Sequence, residues 1–365
     1  MLEGYDAIVH LAAISNDPMG KTFENVTLAI NQSSSIDLAT KAKSVGVKNY
    51  VFASSCSVYG AAGGQPRTES SELNPLTAYA RSKIGTETNV RELADENFTV
   101  TCLRFATACG MSERLRLDLV LNDFVAGAVA ANKISILSDG TPWRPLIHIH
   151  DMARAIDWAV TRDGNNGGAF LTVNAGSNEW NYQVKDLANA VAAAIEGVDV
   201  TINPDAPPDK RSYQVDFGLF HSLAPNHQPQ VTLQQAVEGL NNGLEAMQSS
   251  NWEGLIHLMN SAGVDRSQKL SISDIGFKIG PRINAAGRIA HPHFALQLLL
   301  NEGNQNKAIN LAKHLEKLNQ ERQIMVIKAL DEAIAQLEIN LSGKKILIAW
   351  SPDWHVGILG LIASR

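Results

Sequence analysis

Residues Tyr50-Val-Phe-Ala-Ser-Ser-Cys-Ser-Val-Tyr-Gly60 open as an apolar run and turn polar at Ser54. A short apolar run that ends in small polar residues is the pattern of a strand buried on both faces and running out into a functional loop. Outward from it, Ala7-Ile-Val-His-Leu11 and Thr99-Val-Thr-Cys-Leu-Arg104 are further short apolar runs, with helical patterns over 27–46 and 78–95 between them. Strand, helix, strand, helix, strand predicts an α/β fold, a parallel sheet covered by helices. Ligands of such sheets bind beyond the carboxyl ends of the strands, which is where residues 54–60 fall. The following helix carries Tyr79-Ala-Arg-Ser-Lys83. Four residues apart on a helix, Tyr79 and Lys83 share a face, and an ammonium near a phenol favours phenolate. A tyrosine tuned in this way exchanges a proton with a substrate hydroxyl, and Ser55 is placed to hydrogen-bond the same hydroxyl.

The chain has 365 residues, 45% hydrophobic and 19% charged, with 27 Gly and 13 Pro. That is enough for a full core and two domains, and it excludes disordered, collagen-like and disulfide-scaffold classes. No apolar run approaches the roughly 18 residues of a membrane helix, and Met1-Leu-Glu-Gly-Tyr-Asp is not a secretory start, so a cytoplasmic location with no membrane partner is expected. Cys56, Cys102 and Cys109 lack metal-ligand spacing and are expected to be buried, reduced thiols. His148 and His150, next to Asp151, are expected to bond locally rather than to hold a metal. Residues 1–250 carry 18 Lys and Arg against 27 Asp and Glu, residues 251–365 carry 13 against 10, and all three cysteines lie in the first part. Two domains with different partners follow from that asymmetry.

A set of motifs adds a resemblance. Asp6-Ala-Ile-Val-His-Leu-Ala-Ala-Ile-Ser15, the Ser55 segment ending Val-Tyr-Gly60, the Tyr79/Lys83 pair, Leu103-Arg104-Phe105 and Trp143-Arg-Pro-Leu-Ile-His-Ile-His-Asp151 occur in this order. Over about residues 5–247 the chain resembles the extended short-chain dehydrogenase/reductases, specifically the NAD-dependent epimerase/dehydratases of the UDP-glucose 4-epimerase type. The resemblance implies a Rossmann-like, doubly wound parallel sheet with a small substrate-binding region, NAD as cofactor, a nucleotide-sugar substrate and a homodimer. It makes Tyr79 the acid/base, Lys83 its partner and Ser55 the substrate-hydroxyl ligand. It places His10, Ala12 and Asn31, with Tyr79 and Lys83, at the cofactor, and Asn122, Arg144 and Arg211 at the nucleotide-sugar, the two arginines at its diphosphate.

The sequence departs from that family in one large respect. Gly-x-x-Gly-x-x-Gly, whose backbone N–H groups cradle the cofactor pyrophosphate, is absent: Gly4 stands alone, and Gly60-Ala-Ala-Gly63-Gly64 follows the wrong strand. The expectation is an N-terminally truncated sheet with the strand at Ala7 as its bare edge, and impaired NAD binding. Thr107 and Ala108-Cys109-Gly110-Met111 also stand where many members carry Asn and then Tyr-Gly-Pro.

After Gln248-Ser-Ser-Asn-Trp252, taken as a junction over 249–253, the pattern changes. Domains are expected at 1–248 and 254–365, the second an α/β fragment containing a long connecting helix. Ala308, Leu311, Leu315, Leu318, Met325, Leu330, Ile334 and Leu337 mark that helix, and Lys344-Lys-Ile-Leu-Ile-Ala349 reads as a strand. Gly280-Pro-Arg-Ile-Asn-Ala-Ala-Gly-Arg288 and His355-Val-Gly-Ile-Leu-Gly-Leu-Ile-Ala-Ser-Arg365 together resemble RecJ-type single-strand-DNA exonucleases over about 254–365, from the end of their DHH catalytic domain through a connecting helix into the start of their DHHA1 domain. That resemblance implies single-stranded DNA as a partner, with Arg282 and Arg288 at its phosphates. The divalent metals of a complete RecJ-type enzyme need Asp and His clusters that this sequence does not show. Three readings stand: a nucleotide-sugar epimerase/dehydratase, a DNA-binding module derived from a nuclease, and an inactive fusion of two truncated genes.

Overall fold

Alternation along two neighbouring strands builds the sheet. Tyr50, Phe52, Val100 and Cys102 pack in one buried cluster, whereas Val51, Leu103 and Phe105 pack in another, so successive side chains of neighbouring strands enter cores on opposite faces. The computed structural model describes residues 2–15, 23–112, 115–203, 211–267, 270, 274–301, 303–338 and 349–362. It divides into two units, Met1–Asn241 and Asn242–Arg365.

In the first unit the strands are β1 (Ala7–His10), β2 (Asn49–Ser55), β3 (Thr99–Phe105), β4 (Thr107–Cys109), β5 (Lys133–Ile136), β6 (Trp143–His148), β7 (Phe170–Ala175), β8 (Asn181–Gln183) and β9 (Asp199–Ile202). The helices are α1 (Glu24–Leu28), α2 (Ser34–Ser44), α3 (Ala78–Arg91), α4 (Val120–Ala131), α5 (Ile149–Thr161), α6 (Val184–Ala194), α7 (Gly218–Leu223) and α8 (Leu233–Ser249). Strands β1-β2-β3-β7 form a parallel four-stranded sheet in that order. Residues of α2 and α3 cover one face and residues of α5 the other, the covering that a parallel sheet requires. Two small sheets, β4-β6-β8 and β5-β9, lie beyond it. At the sheet's outer edge no strand pairs with β1 among the described residues, and Val9 there is 37% exposed.

The helical stretch predicted over 27–46 spans 24–44, interrupted by a π-helical turn at Ala29–Ser33 that holds buried Asn31. Helix α3 starts at Thr77, whose side chain accepts from the Ala80 N–H at 3.1 Å. At Gly85 α3 faces the π-turn, where a Cβ would meet the far end of the Gln32 side chain at 2.4 Å and displace it. All three cysteines are buried and unpaired; burial pushes the thiols of Cys56 and Cys102 up and that of Cys109 to about 12. His148 bonds locally, accepting from the His150 N–H at 3.2 Å.

The second unit is helical in its described residues: α9 (Glu253–Ser261), α10 (Gly280–Ile289), α11 (His293–Leu299), α12 (Gln305–Glu338) and α13 (Leu359–Ile362). The divide between the units falls inside α8, ahead of the junction expected at 249–253. The predicted strand at 344–349 lies, Ala349 apart, outside the described residues. The long helix forms, but its buried seam differs from the expected one. Ala308, Leu315 and Leu318 are buried as the spacing suggested, yet further along the buried residues are Val326, Ala329 and Ala333, while Met325 is 38% and Ile334 45% exposed. The physical reason is steric: small residues admit Ile358 and Ile362 at close range, and larger ones on that face would hold them off. The Leu337 side chain is outside the described set.

Arg162, 3% exposed at the end of α5, is held by a hydroxyl and by backbone carbonyls. Its Nε donates to Thr101 Oγ1 at 2.9 Å, and its terminal nitrogens donate to the carbonyls of Val100, Asn166 and Gly168 at 3.0, 2.7 and 2.6 Å. Replacing it with Met leaves those carbonyls unsatisfied, a cost of about 3 kcal/mol. Hydrogen exchange followed by mass spectrometry should then show amide protection over 99–105 falling by about two orders of magnitude; an unchanged rate would refute this account of Arg162.

Candidate functional site

The strand ends and their loops enclose a cleft of about 1030 Å³ in the first unit. Leu11, Ala13 and Ser15 line it after β1, Ser54, Ser55 and Ser57 after β2, and Phe105, Ala106 and Thr107 after β3. Tyr79 and Lys83 enter from α3, and Arg144 and Arg211 from the far side. Residues far apart in sequence therefore meet where a parallel sheet places its ligands.

Ser55 caps the single turn at Cys56–Tyr59, its Oγ accepting from the Ser57 N–H at 3.2 Å. That bond orients the hydroxyl at the cleft wall. Lys83 is 2% exposed and donates to the Ala53 carbonyl at 2.6 Å. Its ammonium lies 4.6 Å from the Phe52 ring centre and 5.3 Å from that of Tyr79, where the negative face of each ring attracts it. Burial pulls the ammonium down to about 8, against the opposing pull of Glu87.

Other predicted residues act at one remove. His10 shares a hydrogen bond with Ser35 Oγ at 3.0 Å and stacks on Phe52, and its titration is lowered first by burial and then by the Lys83 charge. Asn31 grips the backbone of Ile14, accepting from its N–H at 2.7 Å and donating to its carbonyl at 2.9 Å. Asn122 does the same for another loop, accepting from Gly110 N–H and donating to the Arg116 carbonyl, each at 2.9 Å. Ala12 is exposed, and none of these four lines the cleft. Asn31 and Asn122 instead shape it, by fixing the segments that carry Ser15 and Arg116. Arg144 donates to the carbonyls of Trp143 and Arg211, which ties the two arginines together at the rim.

Sequence reasoning passed over Arg116 and Asp123. Arg116 is ion-paired with Asp118 at 2.6 Å and reaches Ser15 Oγ at 2.9 Å, joining two rims of the cleft. Asp123 lines the cleft on α4, and burial raises its carboxyl. Neither sits in a motif, so only the three-dimensional placement reveals them. In the second unit Arg282 pairs with Glu316 and donates to the Lys278 carbonyl at 2.6 Å. Arg288 donates to the Gly357 carbonyl at 3.3 Å, and a Cβ at Gly357 would lie 1.8 Å from the Arg288 oxygen. The two C-terminal motifs thus pack on each other, and both arginines make internal contacts.

The four-stranded parallel sheet with helices on both faces, and a cleft at its carboxyl ends, defines a Rossmann-like α/β fold. Residues 1–176 match the model of the NAD dependent epimerase/dehydratase family. Among solved structures, MoeE5 in complex with UDP-glucose and NAD superposes with a TM-score of 0.59 at 22% identity, covering 68% of this chain and 82% of that one. UDP-glucose 4-epimerase of Haemophilus influenzae is 28% identical over 209 residues, 52% of this chain and 61% of that protein. The single-stranded-DNA-specific exonuclease RecJ of Bacillus subtilis is 35% identical over 123 residues, 34% of this chain. The chain spans only 15% of that relative's length.

Two outcomes test this geometry. Lys83 titrates near 8 in the fold and near 10.5 when unfolded. The unfolded chain therefore binds the extra proton between those values, so this group makes stability rise with pH across that window, by up to about 1.4 kcal/mol per pH unit. The buried thiols of Cys56, Cys102 and Cys109, raised by burial, act in the opposite sense over the upper part of that window, so the Lys83 contribution is read as a difference: in urea titrations from pH 8 to 10 the wild type should gain stability relative to Lys83→Met. Asn31→Ala should raise hydrogen exchange at Ile14 at least tenfold, since about 1.4 kcal/mol or more of local stability is lost with both bonds; unchanged exchange at Ile14 would count against it.

Proposed function

We propose that the first unit is an NAD-dependent nucleotide-sugar epimerase or dehydratase. The observation that carries this is the convergence of Ser55, Tyr79 and Lys83, from β2 and α3, on one cleft that Arg144 and Arg211 also line. Tyr79 takes the proton of a sugar hydroxyl and returns it, while Ser55 orients that hydroxyl. The Lys83 charge over the Tyr79 ring favours the phenolate in which Tyr79 acts as base. Arg144 and Arg211 supply the fork geometry that suits a diphosphate.

The cleft fits the reacting end of NAD: the Lys83 ammonium spends one of three N–H groups on Ala53 and keeps donors for a ribose. When bound, NAD supplies the acceptor and donor of the hydride. His10, Ala12 and Asn31 remain proposed for its adenosine side, Asn31 through the Ile14 segment it holds.

The test supplies the full chain with NAD and UDP-glucose and follows the sugar by proton NMR. Turnover is expected, and Tyr79→Phe should lower it about 10³-fold while UDP-glucose affinity, by calorimetry, stays within about threefold. Equal turnover in the variant would remove the assignment. A second reading concerns the other unit, and the 123-residue match to an exonuclease favours it. We infer that this unit contacts single-stranded DNA. Fluorescence anisotropy with a labelled oligo-dT strand should show binding at 50 mM salt that weakens steeply by 200 mM; no binding at the lower salt would dismiss it.

A further inference from the structure

We propose that Glu87 is the positioning residue of this site, the group that locks the Ser55-bearing end of β2 to the helix carrying Tyr79 and Lys83. The inference rests on the reading of the cleft given above. It begins with sheet register: Ser54 pairs with Arg104 across β2 and β3, and Arg104 pairs with Asn174 across β3 and β7. Three polar residues thus form one row where the strands run out, in place of the apolar residues that precede them.

Glu87 enters this row from α3. Its carboxylate accepts from Ser54 Oγ at 2.5 Å and from Arg104 at 3.0 Å (Nε) and 2.6 Å (Nη2). Arg104 Nη1 donates to the Tyr59 hydroxyl at 3.1 Å, which in turn donates to Asn174 Oδ1 at 2.7 Å. The side chains of Arg104 and Glu87 are 5% and 6% exposed, so neither charge is solvated and each depends on this chain of bonds. One helical turn before Glu87, Lys83 donates to the Ala53 carbonyl. Successive turns of α3 therefore grip successive residues of β2, Ala53 and Ser54, directly ahead of Ser55.

The grip is also electrostatic. Around the Lys83 ammonium stand Glu87 and the Tyr79 ring on its own helix, the Phe52 ring on β2, Cys102 on β3 and His10 on β1. Of these, Glu87 makes the largest contribution toward keeping Lys83 protonated, against its burial. Glu87 thus sets both the place and the charge of the group beside Tyr79.

Glu87→Gln keeps the shape and removes the charge. In the full chain carrying ¹³C-lysine, with the Lys83 resonance assigned by its loss in Lys83→Met, the titration midpoint of Lys83 should fall by about one pH unit in Glu87→Gln. Ser54→Ala should leave that midpoint unchanged. Turnover of UDP-glucose should drop at least tenfold in kcat for Glu87→Gln, with KM within threefold, and Glu87→Asp should recover part of it. A merely structural carboxylate would lower the melting temperature and leave the Lys83 midpoint and the kcat to KM split alone; that result overturns the proposal. Should Glu87→Gln not fold, Ser54→Ala decides: kcat reduced severalfold supports the grip, and wild-type kcat overturns it. Retained turnover in Tyr79→Phe would instead mark failure of the cleft reading, and the Lys83 midpoint, which needs no turnover, still reports on Glu87.

Discussion

A buried arginine and a buried glutamate have to satisfy each other, and the first unit is arranged around that requirement. Arg104 and Glu87 lie where solvent does not reach, and each unmet hydrogen bond on a desolvated charge is costly. Glu87 therefore draws Ser54 as well as Arg104, and Arg104 draws the Tyr59 hydroxyl and the Glu69 carbonyl. The partners come from β2, α3, β3, the turn after β2 and the segment at Glu69 that leads on to α3. Their mutual position is set by a polar network, which is directional, on top of apolar packing, which is not.

The same unit buries a second guanidinium in the opposite way. Arg104 has a carboxylate partner that keeps it firmly charged, whereas Arg162 donates to carbonyls and a hydroxyl, and burial draws it down to about 10 against the opposing pull of Asp163. One arginine ties a helix to the sheet at the functional end. The other closes the loop at 163–168 near the opposite end, where β3 begins. Fixing both ends of β3 with charged groups leaves its middle, Cys102 and Leu103, to pack as an ordinary buried strand.

Much of this was legible in the sequence. The strands at Ala7, Tyr50 and Thr99 declare themselves by short apolar runs, and the Tyr79/Lys83 pair by its helical spacing. What the sequence hid were the targets of its polar residues. Asn31 and Asn122 could be picked out as special, but the backbone atoms they hold, on Ile14, Gly110 and Arg116, are brought near only by the fold. Lys83 and Glu87, four apart, have the spacing of a solvated helix pair, and only the covering of α3 by the sheet makes them buried. The seam of α12 misled for a related reason: the largest apolar side chains attract the eye, while close helix packing selects alanine.

The three cysteines have a practical consequence. All lie in the first unit, are sealed from solvent and have thiols pushed toward the neutral form, so a thiol reagent meets neither access nor thiolate in the folded state. Alkylation then proceeds through opening of the core, and its rate is a clock for that event. Since the second unit contains no cysteine, the clock is blind to it. Six tryptophans shared between both units cannot offer that separation to fluorescence. The chain carries its own single-unit stability gauge, readable by mass spectrometry in the intact protein.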